Sequence, residues 1–401
     1  IHMSIVLQYT NFDKKKIIMG KIYTALGLMS GTSMDGIDAS IISSDGDREY
    51  SVIVDKYYKY DEKFRDDLVH IRSKILTNED LNSFQTEIVA LERELTLLHA
   101  NAANDLVKKN NLNIDFIGFH GHTLFHDSKK KISKQIGDGN LLSQLCKKDV
   151  IYNFRQVDIE NGGEGAPLTP IFHNAIVNKN LKNEFNKFES INILNIGGIA
   201  NITKTVKWDN FYKSTDMLQA SDIGPGNCMI DSWIRNNSNS MFDNKGNIAS
   251  YGKTDSLILN QALENLNILP PYNKSLDIND FDISFVRGLN LENGASTLSD
   301  LTAEIISNAI VHYSDSKNSL NVVCGGGRKN IYLMDMINKK LSNYNNLKFF
   351  PIENFGINGD YIESQAFAYL AIRSFLNLPL SFPNTTGCKL PCTGGILAKN
   401  Y

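Results

Sequence analysis

No stretch of this chain reaches the roughly 18 consecutive apolar residues that a membrane-spanning helix needs, so the sequence offers no membrane segment. An excess of one charge is also lacking. Lys and Arg number 41 against 44 Asp and Glu, a net charge of −3. Nucleic acid or another polyanion finds no basic balance to bind. Cysteine is scarce and odd in number. Cys146, Cys228, Cys324, Cys388 and Cys392 are thinly spread and read as reduced thiols of a cytoplasmic protein. Cys388 and Cys392 form the one close pair. No second His/Cys pair accompanies them, which argues against zinc. The G-x-x-x-x-G-K-[ST] phosphate loop is missing as well, so a bound nucleotide would need other turns. Residues 1–3 read as a cloning remnant, and residues 4–20 lack the apolar core of a signal peptide.

What is present is length enough for two domains with substantial cores, at 401 residues and 42% hydrophobic content. Two stretches share one design. Tyr23–Ile42 runs from an apolar strand through Ser30-Gly31-Thr32-Ser33-Met34-Asp35-Gly36 into a second apolar strand containing Ile37 and Asp38. Ile191–Val206 does the same through Gly197-Gly198. Taken singly, each is an ordinary β-hairpin. Glycine also lets a ligand approach the backbone, and successive turn N–H groups can converge on an anion. Two such hairpins about 170 residues apart, each opening an α/β-looking half, suggest a nucleotide phosphate clamp. Asp35 and Asp38 supply carboxylates able to hold water around Mg²⁺.

Along the chain, Glu49–Tyr60 reads as a strand and 79–109 as one long amphipathic helix, with apolar residues from Leu81 to Leu106 at spacings of three and four. Ile114–Phe119 is a short strand running into His120-Gly121-His122-Thr123. There His120 and Thr123 are as readily sugar ligands as satisfied loop residues. Asp149–Phe154 is the next strand, followed by Asp158 and the Gly- and Pro-rich segment 161–170. Polar groups just past a strand end are where α/β proteins place chemistry, so Asp158 is the best general-base candidate; a turn cap is the plain alternative. Asp222-Ile223-Gly224-Pro225-Gly226-Asn227 precedes a helix start with Asp231. A helix covers 297–313. The buried strand 320–324 ends in Gly325-Gly326-Gly327, where a backbone could lie flat against a nucleotide. Asp360 to Glu363 reads as a capping box for a helix over 361–376.

Together these blocks resemble the anhydro-N-acetylmuramic acid kinases, bacterial enzymes of peptidoglycan recycling whose fold relatives are the actin, hexokinase and chaperone ATPases. The matching segments are Met29–Asp38, Gly118–Thr123, Asp158 with Gly162–Leu168, Asn195–Asn201, Asp222–Asn227 with Asp231, Val323–Gly327, and Glu363–Ala368. They follow the family's order over about residues 22–388. The resemblance implies two actin-like, ribonuclease H-like α/β domains around an ATP cleft, expected at 20–155 and 156–378, with a tail at 379–401. It implies that Gly31–Asp38 and Gly197-Gly198 hold phosphates and that Gly325–Gly327 lies at the adenosine. It makes Asp158 the catalytic base, with His120, Thr123, Asp222, Asn227 and Asp300 as sugar contacts. The implied reaction uses ATP and Mg²⁺. Water opens the 1,6-anhydro ring while the freed 6-oxygen takes the γ-phosphoryl group. A homodimer stays open under this resemblance.

The sequence departs from the family pattern at His122, where a glutamine is expected, and at Asp300, where a glutamate is expected. Another sugar or acetate kinase is the nearest rival reading, and an actin-like or chaperone-like ATPase is the rival of another class. The Asp158 loop favours a small-molecule cleft over either assembly or peptide binding.

Overall fold

In the computed structural model, which describes residues 21–400 apart from 128–129, 273–274 and 316, each glycine-turn hairpin becomes the centre of a sheet. The readings of residues 1–20 and of Lys274 fall outside the described residues.

β1 (Tyr23–Met29) and β2 (Gly36–Ser44) pair antiparallel, and β3 (Tyr50–Lys59) extends the meander. β4 (Phe116–Asp127) lies parallel to β1 on its other side and carries the short partner β5 (Ile132–Ile136). β6 (Asp149–Tyr152) adds parallel to β4. The second sheet repeats the plan with β7 (Ser190–Ile196), β8 (Ile199–Thr205) and β9 (Gln219–Pro225) as the meander. β10 (Ser319–Cys324) and β11 (Leu347–Pro351) follow in parallel beyond β7. The two orders, β3-β2-β1-β4-β6 and β9-β8-β7-β10-β11, are one five-strand unit used twice. This is the expected actin-like pairing of α/β halves. β7 and β10 are buried along their whole length, as central strands covered on both faces must be.

One core cluster joins the two sheets. Ala25 and Phe116 of the first, and Ile193 and Leu320 of the second, pack with Phe172 and Phe367 from two helices. These are Pro170–Asn180 and Ile362–Phe375. The second of them lies directly on the first sheet. A Cβ at Gly27 would stand 1.9 Å from the Ser364 carbonyl oxygen, and one at Gly118 would stand 2.2 Å from that of Phe367. Glycine in β1 and β4 is what permits that approach.

Three expectations change. The long helix over 79–109 is two helices, Asn78–Ser83 and Gln85–Lys109, broken at Phe84 with φ −106° and ψ 21°. The apolar phase continues across the break, so periodicity alone could not show it. The short first piece is set by Asp80, whose carboxylate accepts from the Leu76 and Thr77 amides. Asp360 does not cap the 362–375 helix, whose N-cap is Tyr361 without a side-chain bond. Asp360 pairs with Arg328 at 2.9 Å and Lys329 at 2.7 Å instead. The sheets also do not follow the expected boundaries. The 362–375 helix packs on β1, β2 and β4, and β12 (Ile396–Ala398) in the expected tail pairs antiparallel with β6 as the edge of the first sheet. Helix Glu62–Lys74, capped by Asp61 on the Phe64 amide, is an element that the motif reading passed over.

Candidate active site between the two sheets

The equivalent turns of the two halves meet. A Cβ at Gly198 would lie 2.9 Å from Thr32 Oγ1, so glycine lets the β7–β8 turn close against the β1–β2 turn. Its carbonyl accepts from the Gly226 amide at 2.9 Å, and the Gly197 carbonyl accepts from the Asn227 amide at 2.8 Å. The segment Gly226-Asn227 ahead of the 228–237 helix is thereby tied to this turn. Asn227 serves it through the backbone.

The nominated glycines divide by what surrounds them. Gly31 and Gly326 face open space, leaving room for a ligand against the backbone. Gly36 does not: an added Cβ would meet the Tyr57 ring and the Tyr58 carbonyl at 2.5 Å, so this glycine serves the packing of β3. Gly325 has φ +80° and sits against Asn195 Oδ1, while Gly327 packs on Ile196. In the first turn Met34 takes the left-handed conformation, φ 54°, and its amide closes the turn on the Gly31 carbonyl at 3.1 Å. Ile37 is buried in the core of the first half. Thr32 and Ser33 are exposed at the turn.

Beside this turn stands a group of carboxylates. Asp38 pairs in register with Met29. Its carboxyl is pushed up to about 7, first by burial, then by Glu363, Asp35 and Asp360, with Lys329 opposing. Glu363 opens the 362–375 helix, accepts from Asn195 Nδ2 at 3.3 Å and is raised mainly by its own burial. The Gly325 loop joins the same group, because Arg328 donates to the Gly325 carbonyl at 2.8 Å and pairs with Asp360. These carboxylates repel one another beside the turn, and oxygen donors are the ligand type that Mg²⁺ takes.

Asp158 lies one turn into a short helix, Gln156–Glu160, just past β6, rather than in open loop. It is buried, and its acceptors are largely engaged. Oδ2 accepts from the Gly165 amide at 2.7 Å, and Oδ1 accepts from Thr386 Oγ1 at 2.6 Å. Cys392 Sγ stands 3.7 Å from Oδ1. Gly163 has to be glycine, since a Cβ there would lie 2.2 Å from Oδ2. A carboxylate offers about four acceptor sites, so three donors leave it one lone pair for a proton.

The residue that joins these groups is Arg155. It is half-buried, and its partial removal from water weakens its hold on its proton, an effect that Asp222, Glu363 and Asp158 counter. Its Nη1 donates to the Gly165 carbonyl at 2.6 Å and its Nη2 to His120 Nε2 at 3.0 Å. His120 is therefore the neutral tautomer with its proton on Nδ1, donated to the Gly121 carbonyl at 3.0 Å. Burial and Arg155 hold this imidazole well below its usual range. His120 is aimed this way by a bulge: Leu28 pairs with Phe119 and Met29 with Gly121, leaving His120 as the extra residue. It positions Arg155. His122 is buried one position beyond the glycine, with Nδ1 3.3 Å from Ser30 Oγ, and burial and Arg72 lower it to about 3. Thr123 Oγ1 accepts from Gln135 at 3.2 Å.

Asp222, in the middle of β9, faces the segment from 275. It accepts from the Leu276 amide at 2.9 Å and Ser275 Oγ at 3.3 Å, and burial raises it to about 6. Ser275 also meets His126 Nε2 at 3.1 Å and donates its amide to Glu164. Asp277 forms a two-oxygen ion pair with Arg72, 3.0 Å to each oxygen. These bonds draw a second-half segment across onto first-half elements. Asp231, in the next helix, is raised to about 7 by burial. Asp300 is engaged elsewhere, in an ion pair with Lys340 at 2.7 Å between helices Leu291–Ser314 and Ile331–Leu341.

Arg155, Glu363 as an acidic partner of Asp38, Thr386 and the 275–277 segment were not singled out by sequence reasoning. Arg155 did carry a signal, a lone cation directly after a strand and before Asp158. Thr386 carried none, lying 228 residues from the carboxylate it contacts.

The family model for anhydro-N-acetylmuramic acid kinase matches residues 23–400. A Pelagibacter ubique protein named anhydro-N-acetylmuramic acid kinase is 50% identical over 388 residues, 96% of this chain and 100% of that one. The Zymomonas mobilis protein of the same name is 37% identical over 92% of this chain and 98% of its own. Among solved structures, the activator of the 2-hydroxyisocaproyl-CoA dehydratase from Clostridium difficile with bound ADPNP aligns over 88% of this chain and 95% of that one. Its identity is 11% and its TM-score 0.40, too distant to carry an argument. With the doubled sheet and the order of its motifs, the match over 23–400 makes this chain a member of the anhydro-N-acetylmuramic acid kinase family.

Proposed function

We propose that this chain opens 1,6-anhydro-N-acetylmuramic acid with water and transfers the γ-phosphoryl of ATP to the freed 6-oxygen. The products are N-acetylmuramic acid 6-phosphate and ADP, in cytoplasmic cell-wall recycling. The observation that carries this reading is Asp158: a buried carboxylate, fixed by two close donors and one farther thiol, with one lone pair to spare, near the charge of Arg155. The anhydro bridge ties up the 6-oxygen, so a nucleophile must reach the anomeric carbon. Asp158 takes a proton from water as its oxygen bonds to that carbon. The bond from the carbon to the 6-oxygen breaks, and that oxygen receives the phosphoryl group as ADP leaves. Arg155 sets its positive charge near Asp158, and His120 holds Arg155 in place.

The paired turns at Thr32 and Gly198 would hold the phosphates, with Gly326 open beside them. Asp38 and Asp35, backed by Glu363, would hold Mg²⁺ on those phosphates. That ion neutralises charge on the transferring group when bound. Asp222 and the 275–277 segment would face the sugar and cover it.

The test is ATP consumption with and without the anhydro sugar, in oxygen-18 water. Label on the anomeric hydroxyl with unlabelled phosphate is expected. Sugar-independent turnover with label in the phosphate would mean a plain ATPase and refute the reading.

A further inference from the structure

The paired cysteines that the sequence leaves without metal partners acquire one in the fold. Cys388, Cys392 and Asp158 each bring one donor atom to a single point, with all three atoms within 4.8 Å of one another. Cys392 Sγ is 3.7 Å from Asp158 Oδ1. On a tetrahedral zinc, with bonds of about 2.0–2.3 Å, neighbouring donors stand about 3.3–3.8 Å apart. One donor pair already has that spacing, and the third needs to close by about 1 Å at most. We infer that Asp158, Cys388 and Cys392 form a site for a borderline-soft divalent cation, Zn²⁺ being the natural occupant.

The donor chemistry fits that ion better than Mg²⁺, which takes oxygen ligands and keeps its water. Two thiolates and a carboxylate bring three negative charges to a dication. Arg155, whose charge faces the same carboxylate, balances the one that remains. Cys388 and Cys392 already stand within hydrogen-bonding reach of each other. Hydroxyls of Ser381, 3.0 Å from Cys392 Sγ, and Thr386 ring the site. Cys388 is buried and Cys392 half-buried, so entry is from the Cys392 side. Binding displaces two thiol protons, forms two Zn–S bonds and one Zn–O bond, and leaves a fourth position for water. No electron moves. The consequence for catalysis rests on the proposed function: zinc would occupy the lone pair with which Asp158 accepts its proton, and the enzyme would stop.

Binding and inhibition are read separately. Competition against a chromophoric zinc chelator should give one equivalent of Zn²⁺ on the reduced full-length chain. A Cd²⁺ titration should raise a thiolate-to-metal charge-transfer band at the same stoichiometry. Cys388→Ser and Cys392→Ser, each checked for folding by circular dichroism and nucleotide binding, should each weaken zinc by at least about 100-fold, the upper end of what losing an outer partner costs. Alkylating the thiols of the unaltered chain should do the same without any substitution. Zinc uptake that survives both serine variants overturns the proposal, as does a Cd²⁺ titration with no charge-transfer band. Stoichiometric thiolate binding with undiminished kinase turnover would leave the site standing and remove Asp158 as the base.

Discussion

Replacing Asp38 with Asn keeps the side chain's shape and deletes a carboxyl that the fold disfavours. Burial, Glu363, Asp35 and Asp360 raise that carboxyl to about 7, against about 3.9 for an unfolded aspartate. That difference corresponds to about 4 kcal/mol. Partial contact with solvent brings this to about 2–4 kcal/mol. A raised carboxyl means that, between about pH 4 and 7, the folded chain binds more protons than the unfolded one. Stability therefore falls as pH rises through that window and levels off above it. Asp38→Asn should lose this part of the slope. It should match the parent near the acid end and exceed it by about 2–4 kcal/mol at about pH 8. The assay is urea unfolding followed by circular dichroism at several values between about pH 5 and 8, without nucleotide. Added Mg²⁺ and ATP should then stabilise the parent more than the variant, because the cation offsets the repulsion that the variant has already lost. Parallel stability curves for the two proteins would show that Asp38 sits in no strained acidic group.

Other outcomes follow from the same geometry. Asp158→Asn should still bind ATP in calorimetry and lose turnover by about 10²–10⁴-fold, the usual worth of a general base; near-normal turnover would shift the base to Asp222. Asp277→Ala strands Arg72, and with Asp277 20% exposed the cost should be about 2–3 kcal/mol, below that of a fully buried pair. It should appear mainly as a raised KM for the sugar, and an unchanged KM would mean that this ion pair does not hold the cover segment. Gly36→Val should lower the unfolding midpoint, because its side chain runs into Tyr57 and Tyr58. Gly326→Val should keep that midpoint and weaken ATP binding in a calorimetric titration; the reverse pattern would exchange the roles assigned to the two glycines.

Local physics made much of this protein legible in its sequence. The β1–β2 and β7–β8 hairpins are apolar runs around small-residue turns, and a pattern of that kind needs nothing distant to declare itself. The order of the glycine turns, and Asp158 directly after β6, pointed to the cleft for the same reason. Tertiary structure alone decided which local options were used. Gly36 and Gly31 are the same letter in one turn, yet the Tyr57 ring fills the space beside one and leaves the other open. The break at Phe84 is invisible to periodicity because the apolar phase runs through it. His120 is equally a sugar ligand or a satisfied loop residue by sequence, and in the fold its Nε2 accepts from Arg155. Cys388 and Cys392 looked idle because metal-ligand spacing is read along the chain, whereas their third partner, Asp158, arrives across a gap of more than two hundred residues once β12 folds back onto β6. Sequence carries what neighbours impose on one another, and only folding supplies the partners that chain separation hides.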